Sequence, residues 1–293
     1  MLGEIRGEVR FKEPLSFHTS LRIGGPADIF IVPQDVEDIR LALSFAEREQ
    51  LSIDVIGGGN NLLVSDRGVR GVVLKLEGCL GRAEFNGEEA VAGAGVSLSA
   101  LIREAAALNL GGIECLVGVP ATVGGAVAMN AGTPDGGIAD FISAVYFLYP
   151  DGTLGEYKPG AGSYSYNVFT APAGSVLIGA RLQLHRRPFA EIQKDIKQRL
   201  KQKKSTQPLA LASVGCVWKN PQGETATRLI EKVGLKGKRL NGAEISAKHA
   251  NFIVNRGGAA AADIKALMQL TLDRVKNHFG ITLEPEMKTL GEI

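Results

Sequence analysis

The first third of the chain has the apolar and polar spacing of a strand–helix–strand unit. Ile29–Val32 and Ile53–Ile56 are short apolar runs of the length found in buried strands. Between them, Asp35–Gln50 places an apolar residue at every third or fourth position, which predicts an amphipathic helix with one buried face. A run of three glycines begins at Gly57, directly after the second predicted strand.

Strands and helices continue to alternate along the rest of the chain. Ser97 is a suitable N-cap for a helix that runs to Asn109, where Gly111-Gly112 ends it. The highly charged helix Phe189–Lys203 follows Pro188 and marks the passage into a C-terminal domain. The other predicted elements are strands at Val72–Leu76, Ala90–Ala94, Ser175–His185, Cys216–Trp218 and Phe252–Val254, a hairpin over Val145–Tyr157 that turns at Asp151-Gly152, and helices at Glu224–Val233 and Asp263–Phe279.

Length and composition narrow the class of protein. A chain of 293 residues is too long for one ordinary core and predicts two or three domains. A hydrophobic content of 45% with 22% charged residues is typical of a soluble globular protein. The formal net charge of +2 provides no general attraction for nucleic acid, so we expect no nucleic-acid partner.

The sequence also lacks the signals of secretion, membrane insertion and metal binding. Residues 1–11 carry alternating charges without an apolar centre, and no apolar run is long enough to span a bilayer. Cys79, Cys115 and Cys216 are far apart without a CxxC pair, and the four histidines lack metal-ligand spacing. We therefore expect a cytoplasmic location, no membrane insertion, no disulfide framework and no metal.

The first candidate ligand-binding loop consists of Gly57, Gly58, Gly59, Asn60 and Asn61. Consecutive glycines allow backbone N–H groups to converge on an anion, and the asparagine side chains add donors suited to a pyrophosphate. A Rossmann dinucleotide loop does not fit, because Leu62 stands where its third glycine belongs. An ordinary turn after a strand is the alternative that this loop alone leaves open.

A second glycine-rich segment contains Val119, Pro120, Thr122, Gly124 and Gly125 within an otherwise apolar stretch. Bulky side chains are missing there, as expected where a flat ligand lies against the backbone. Close packing of two helices is the competing explanation of the same small residues. Together, the two segments favour a bound ligand more than either one does.

Six segments, in order along nearly the whole chain, resemble motifs of the UDP-N-acetylenolpyruvoylglucosamine reductases, the MurB family of peptidoglycan synthesis. Any one of them is a weak signal, but six in register make a chance similarity improbable. They are His18–Asp28, Gly57–Asp66, Gly118–Gly132, Val214–Pro221, Gly242–Phe252 and Leu283–Met287.

The resemblance implies an α+β fold with a two-part FAD-binding region of the PCMH or vanillyl-alcohol-oxidase type. Its two subdomains would cover residues 1–75 and 76–187, and a smaller α+β substrate-binding domain would cover 188–293. Only the five residues Thr170–Gly174 separate Tyr164–Phe169 from the next predicted strand. That spacing is typical of the shorter form of the family, which lacks an extra substrate-covering insertion. A monomer is the favoured state.

The reaction implied by the resemblance uses FAD as cofactor and NADPH as reductant. NADPH reduces FAD, and the reduced flavin passes hydride to the enolpyruvyl group of UDP-N-acetylglucosamine enolpyruvate. A proton then completes the lactyl ether of UDP-N-acetylmuramate, so the expected partner is a UDP-sugar. The flavin performs the hydride chemistry, while the protein contributes position, charge and the proton.

The resemblance also implies two catalytic positions. Cys216 stands where many members carry a proton-donating serine, and a thiol with a pKa near ~8.5 releases its proton more readily than an alcohol. Glu286 matches the C-terminal catalytic glutamate, which holds the enolate geometry or helps to relay the proton. The structural alternatives are a small buried hydrophobe for Cys216 and a solvated strand carboxylate for Glu286.

Ser165 departs from the family pattern. Members have an arginine facing the substrate carboxylate at this position, whereas this chain reads Tyr164-Ser165-Tyr166-Asn167. Loss of a cation aimed at developing negative charge costs roughly 3–4 kcal/mol, by analogy with the loss of an oxyanion donor. Three explanations stay open: another cation such as Lys219 or Lys288 substitutes, the enzyme is slow, or the local alignment differs.

Four further residues are binding candidates. Lys219 and Asn220 match positions that contact the UDP-sugar, since a lysine suits a diphosphate and an amide can bind uracil or sugar hydroxyls. An ordinary strand-end turn is the alternative for both. Lys288 is a third substrate-binding candidate, and Arg22, in the N-terminal motif, is a cofactor-binding one.

Two other functions stay open at this point. One is an FAD-linked oxidase of the same fold that acts on another alcohol or amine. The other is a catalytically weak protein that binds a flavin or a nucleotide sugar, for which the missing arginine at Ser165 is the argument.

Overall fold

The computed structural model describes residues 2–159, 164–165 and 168–292. Helices and strands are interspersed, and each helix predicted from residue spacing is present. One short helix, α3, was not predicted, because its six small residues show no clear apolar period. The helices are α1 (Val36–Arg48), α2 (Leu98–Ala107), α3 (Val123–Ala128), α4 (Phe189–Thr206), α5 (Ala226–Lys232) and α6 (Ala261–Phe279).

The strands are short, and most of them belong to three sheets of four or five strands. In chain order they are β1 (Glu8–Pro14), β2 (Pro26–Val32), β3 (Ile53–Ile56), β4 (Leu62–Val64), β5 (Val69–Lys75), β6 (Ala83–Asn86), β7 (Glu89–Gly93), β8 (Leu110–Gly111), β9 (Gly132–Thr133), β10 (Gly136–Gly137), β11 (Ile142–Leu148), β12 (Leu154–Tyr157), β13 (Tyr164–Ser165), β14 (Val168–Phe169), β15 (Val176–Gln183), β16 (His185–Arg186), β17 (Ala212–Cys216), β18 (Arg239–Leu240), β19 (Ala243–Ile245), β20 (Phe252–Asn255) and β21 (Lys288–Leu290).

The chain divides into two compact units, each built from three segments. The first unit comprises Met1–Phe11, Ile29–Gly58 and Gly71–Gln202. The second comprises Lys12–Asp28, Gly59–Arg70 and Lys203–Ile293. The subdomain boundaries placed after residues 75 and 187 stay a prediction.

The first unit contains an antiparallel sheet with the strand order β12–β11–β15–β7–β6. The predicted hairpin is confirmed, since β11 and β12 pair from Val145↔Tyr157 to Leu148↔Leu154. Buried side chains of β11 and β15, including Phe147 and Leu182, share one core with the apolar face of α2. A second core joins α1 to β5, and β3 lies parallel to β5 in a sheet with the order β1–β2–β5–β3.

The second unit has a sheet with the order β17–β20–β19–β18, together with the parallel pair β21–β4. Its core packs the inner faces of α5 and α6 around Trp218, which is 1% exposed. At the start of α6, the Asp66 carboxylate accepts hydrogen bonds from the amides of Ala261 and Ala262, at 2.8 and 3.1 Å. This pairing satisfies N–H groups that have no partner within the helix.

Three details differ from the sequence-based expectations. Ser97 does occupy the N-cap position of α2, but within the described residues its hydroxyl contacts Ser99 Oγ, at 2.9 Å, and caps no helix N–H. Helix α5 begins at Ala226, two residues later than predicted, because Thr225 is its N-cap and accepts from the Arg228 amide. The strand predicted from Cys216 in fact ends there.

Three features of the described part of the chain bear on membrane insertion, metal binding and disulfide formation. No described helix combines the length and the hydropathy needed to cross a bilayer. The described residues also contain no group of three or more His, Cys, Asp or Glu side chains arranged to hold a metal ion. All three cysteines are free thiols.

Candidate active site

The two glycine-rich segments meet in the first unit. A β-carbon added to Gly57 would lie 2.5 Å from Thr122 Oγ1, so no side chain fits at this position. Thr122 Oγ1 in turn accepts a hydrogen bond from the Gly125 amide, at 3.2 Å, and caps α3. The structure therefore brings together two segments that are more than 60 residues apart in the sequence.

The second segment is held against the residues that follow β7. The Gly124 amide donates to the Ala94 carbonyl at 2.9 Å, and a β-carbon on Gly124 would lie 2.8 Å from Ala94 Cβ. Gly124 is thus required for close packing. Gly125 differs, since the nearest described atom to its added β-carbon is Thr122 Oγ1, at 3.4 Å.

The chemistry of this surface fits a flavin dinucleotide. Gly57, Gly58, Val119 and Gly125 are partly exposed, and Pro120 is exposed. These residues present backbone and small apolar groups and bring no negative charge of their own. A flat ring and a pyrophosphate can approach such a surface closely.

The remaining cofactor candidates belong to the second unit. Gly59 has φ +63°, and its added β-carbon would lie 2.0 Å from the His18 carbonyl oxygen. Asn61 Nδ2 donates to the Glu286 carbonyl at 3.2 Å, so part of this amide binds the C-terminal segment. Asn60 is partly exposed, and Arg22 is exposed with a left-handed φ of 57°.

Cys216 and Glu286 lie close together in the second unit. The Glu286 amide donates to the Val217 carbonyl at 2.8 Å, and Trp218 forms a bridge with Pro285. The negative charge of Glu286 acts on the thiol. Residues 70 positions apart in the sequence are therefore joined by pairing between the segment after β17 and the segment before β21.

The surroundings of Cys216 keep its thiol protonated. Burial of the sulfur and then the charge of Glu286 raise its pKa to about 12, although a hydrogen bond from Asn251 and the charge of Lys203 act in the opposite direction. The residue as a whole keeps some solvent exposure. The dense protein around the sulfur nevertheless disfavours a thiolate. The ordinary thiol pKa expected from the sequence is thus wrong for this site.

Gly215 helps to determine where the Cys216 side chain points. It has φ +82°, and the β17–β20 register shifts between Ser213 and Cys216. Such a β-bulge ends regular pairing and redirects the following side chain. After the bulge, Cys216 pairs with Phe252 and forms the end of the strand.

Asn251 is a residue of this site that sequence reasoning did not single out. Its side chain is buried and pairs with both main-chain groups of Trp218. The available signal was one amide within an otherwise apolar run, Ala250–Val254, inside a segment already noted for its family resemblance. An unsatisfied amide would be costly there, so a specific partner was to be expected.

The substrate-binding candidates also lie in the second unit. Lys219 Nζ is 3.3 Å from Glu284 Oε2, and Asn220 Oδ1 accepts from the Ala226 amide at the start of α5, at 3.0 Å. Lys288 is exposed on β21. Lys219 and Asn220 therefore have structural partners in addition to any role with a ligand.

Ser165 belongs to the two-residue strand β13, whose backbone pairs with Val168 of β14. Its side chain lies outside the described residues, as do Tyr166 and Asn167.

Comparison with known proteins gives matches over both parts of the chain. A model described as FAD binding domain matches residues 27–157, and one described as UDP-N-acetylenolpyruvoylglucosamine reductase, C-terminal domain, matches 207–290. The reductase of Anaeromyxobacter sp. (strain Fw109-5) is 43% identical over 289 residues, which are 98% of this chain and 90% of that protein. The chain belongs to the UDP-N-acetylenolpyruvoylglucosamine reductase family.

Other members of the reductase family agree in length and structure. The reductase of Geobacter metallireducens is 39% identical over 290 residues, 99% of this chain and 96% of that protein. The crystal structure of the Thermus caldophilus enzyme matches with a TM-score of 0.83 and 36% identity, over 98% of this chain and 99% of that one. The predicted family and α+β fold class are confirmed, and the chain is a flavin-dependent oxidoreductase with FAD as cofactor.

Proposed function

We propose that this member of the family reduces UDP-N-acetylglucosamine enolpyruvate to UDP-N-acetylmuramate, with NADPH as reductant, in peptidoglycan precursor synthesis. The names of the full-length relatives and the FAD-binding domain support the reaction class. The observation that carries the proposal is the pairing of the Glu286 segment with the residues that follow Cys216, within the family-specific C-terminal domain. A reduction of this kind requires one proton at a defined carbon.

We propose that the cofactor is held in the first unit by the two glycine segments that meet at Gly57 and Thr122. In that unit the other proposed cofactor-binding residues are Gly58, Val119, Pro120, Gly124 and Gly125. Arg22, Gly59, Asn60 and Asn61 belong to the second unit and stay candidates on the sequence alone. Bound FAD supplies the hydride chemistry, which no side chain of the chain can provide.

Cys216 supplies the proton in this proposal. Once the enolpyruvyl double bond has gained hydride at one carbon, the neighbouring carbon carries an electron pair beside the carboxylate. The S–H bond of Cys216 breaks, a C–H bond forms at that carbon, and the electron pair of the S–H bond stays on sulfur as a thiolate. A thiol with a pKa of about 12 is fully protonated at neutral pH yet far more acidic than the carbon acid that it forms.

Glu286 acts on this step through its charge. By disfavouring the thiolate, the carboxylate keeps Cys216 loaded with its proton before the reaction and favours its reprotonation afterwards. Lys219, Asn220 and Lys288 are the proposed contacts of the UDP-sugar, with Lys219 exchanging its Glu284 partner for a phosphate oxygen.

An anaerobic half-reaction tests the proposed function. The purified holoenzyme is reduced with NADPH, the enolpyruvyl UDP-sugar is added, and flavin absorbance is followed. We expect the oxidised spectrum to return in wild type, and turnover to fall by about 10²-fold or more in Cys216→Ala while NADPH still reduces the flavin. Failure of the wild-type spectrum to return would contradict the proposal, and reduction of the oxidised flavin by small alcohols or amines, with reoxidation by oxygen, would identify an oxidase of the same fold.

A further inference from the structure

The segment that carries Cys216 is held by one buried amide side chain. Asn251 is 2% exposed. Its Oδ1 accepts from the Trp218 amide at 2.9 Å, and its Nδ2 donates to the Trp218 carbonyl at 2.8 Å. The Asn251 main-chain carbonyl accepts from the Val217 amide, also at 2.8 Å. Three hydrogen bonds from a single residue therefore fix the two residues that follow Cys216.

The same side chain also influences the sulfur. A primary amide has two N–H bonds, and the Trp218 carbonyl uses one of them. The side chain of Asn251 also acts on the Cys216 thiol and lowers its pKa, which is the effect of a hydrogen-bond donor to the thiolate. The charged groups that act on the sulfur are Glu286, which opposes the thiolate, and Lys203, which favours it. Asn251 is the neutral donor within this set.

We propose that Asn251 is the positioning residue of the Cys216 site: it fixes the sulfur through the Trp218 main chain and supplies a hydrogen bond to the thiolate left by proton donation. The assignment of a proton-donating role to Cys216 rests on the proposed function. The link between Asn251 and the sulfur does not, because it is a property of the resting protein.

The energetic reason is the cost of a thiolate in this environment. Burial and the Glu286 charge both disfavour negative charge on sulfur. A hydrogen-bond donor already in place lowers that cost without repositioning during the reaction, which is the basis of preorganised stabilisation. A lysine or arginine in the same place would instead lower the thiol pKa strongly and leave Cys216 without its proton before substrate arrives.

The test measures the reactivity of the Cys216 thiolate without any UDP-sugar. The FAD-loaded full chain is treated with iodoacetamide at pH 8.5, and alkylation of the Cys216 peptide is followed by mass spectrometry. Far below its pKa, a thiol reacts in proportion to its thiolate fraction. We expect the rate to fall about threefold to tenfold in Asn251→Ala. It should fall at least as far in Asn251→Asp, which keeps Oδ1 for the Trp218 amide but has no N–H to donate and adds a negative charge that also opposes the thiolate.

A matched control separates this effect from general loosening. Asn255, also on β20, joins other backbone groups: its Nδ2 donates to the Leu21 carbonyl at 3.0 Å and its Oδ1 accepts from the Gly257 amide at 2.8 Å. Asn255→Ala should lower the melting temperature comparably and leave the Cys216 alkylation rate unchanged. Asn255→Ala thus gives the change in alkylation rate that general loosening alone produces.

The outcomes distinguish this inference from the proposed function. An alkylation rate in both Asn251 variants equal to or above that of wild type overturns the inference, whatever the turnover. If the rates fall as expected and Asn251→Ala also lowers kcat with little change in KM, the inference stands together with the proton-donating role. If the rates fall but wild type does not act on the enolpyruvyl UDP-sugar, the thiolate contact stands and the proposed function fails.

Discussion

The main-chain amide of Glu286 donates a hydrogen bond to the carbonyl of Val217, 2.8 Å away. Val217 directly follows Cys216, so this contact holds the Glu286 segment against the Cys216 segment. The charge of the Glu286 carboxylate contributes to the raised pKa of the Cys216 thiol. The neighbouring carboxylate, Glu284, is 73% exposed at its side chain and pairs with Lys219. Two glutamates of one short segment thus have different environments.

We expect Glu286→Gln to increase the reactivity of Cys216. Removal of the carboxylate charge lowers the thiol pKa, so iodoacetamide should alkylate Cys216 several-fold faster at pH 8.5. Glu284→Gln is the matched control and should leave the alkylation rate within twofold of wild type. Equal rates in all three proteins would show that the Glu286 charge does not reach the sulfur.

Cys216 should resist peroxide at neutral pH. A pKa of about 12 leaves a very small thiolate fraction at pH 7, and the thiolate is the form that peroxide oxidises. We expect wild type and Cys216→Ser to lose NADPH-driven activity at the same rate at pH 7, and wild type to become the more sensitive as pH rises. Faster loss in wild type already at pH 7, reversed by a thiol reductant, would indicate a lower pKa in the working enzyme.

Gly57→Ala should reduce the FAD content of the purified protein. The new methyl group would lie 2.5 Å from Thr122 Oγ1, so either the Thr122 side chain turns away and leaves the Gly125 amide uncapped or the two glycine segments move apart. Gly81→Ala is the control, because the nearest described atom to its added β-carbon is the Gly78 carbonyl oxygen, at 3.8 Å. Flavin absorbance per mole of protein measures the effect. Full occupancy in Gly57→Ala would argue against a cofactor at this contact.

Gly215→Ala should lower turnover beyond its effect on stability. At φ +82° a β-carbon costs about 1–2 kcal/mol, and relief of that strain shifts the bulge that orients Cys216. Gly223→Ala makes a suitable comparison, since Gly223 has φ +79° and, like Gly215, space around its added β-carbon among the described atoms. Both variants should lose similar stability in urea. If kcat fell equally in Gly215→Ala and Gly223→Ala, the bulge would have no specific role in turnover.

The Asp38 carboxylate should stabilise the folded protein at pH values above its pKa, and this stabilisation should be lost in acid. Burial alone raises the pKa of Asp38, but hydrogen bonds from the amides of Gln34, Arg6 and Gly7 outweigh it and hold the pKa below its usual value. Because the folded pKa is lowered, the stabilisation is complete above the unfolded value of about 3.9 and disappears as pH falls through the folded one.

The measurement for Asp38 is urea unfolding of Asp38→Asn and wild type from pH 3 to pH 7. We expect Asp38→Asn to cost about 2–4 kcal/mol at pH 7, because at least one of three partly buried N–H groups loses its charged acceptor. The difference should shrink below pH 4. Glu47→Gln, at an exposed position of the same helix, should change stability by less than about 0.5 kcal/mol. A difference that stays constant down to pH 3 would contradict the lowered pKa.

The sequence by itself determined the local elements, the family and the main candidate residues of the site. Apolar spacing located α1, α2 and α6, because helix periodicity depends on residues only three or four apart. The glycine runs and Cys216 were likewise visible, since their chemistry follows from residue type and motif.

Only the tertiary structure decided how these pieces act on one another. It brought Gly57 to Thr122, joined Glu286 to the Cys216 segment and made Asn251 a partner of Trp218. The pKa of Cys216 also depends on it, because burial and the charge of a residue 70 positions away set that value and neither can be read from neighbouring letters. Periodicity records which face of an element is buried, whereas the reactivity of a thiol depends on what the fold places against it.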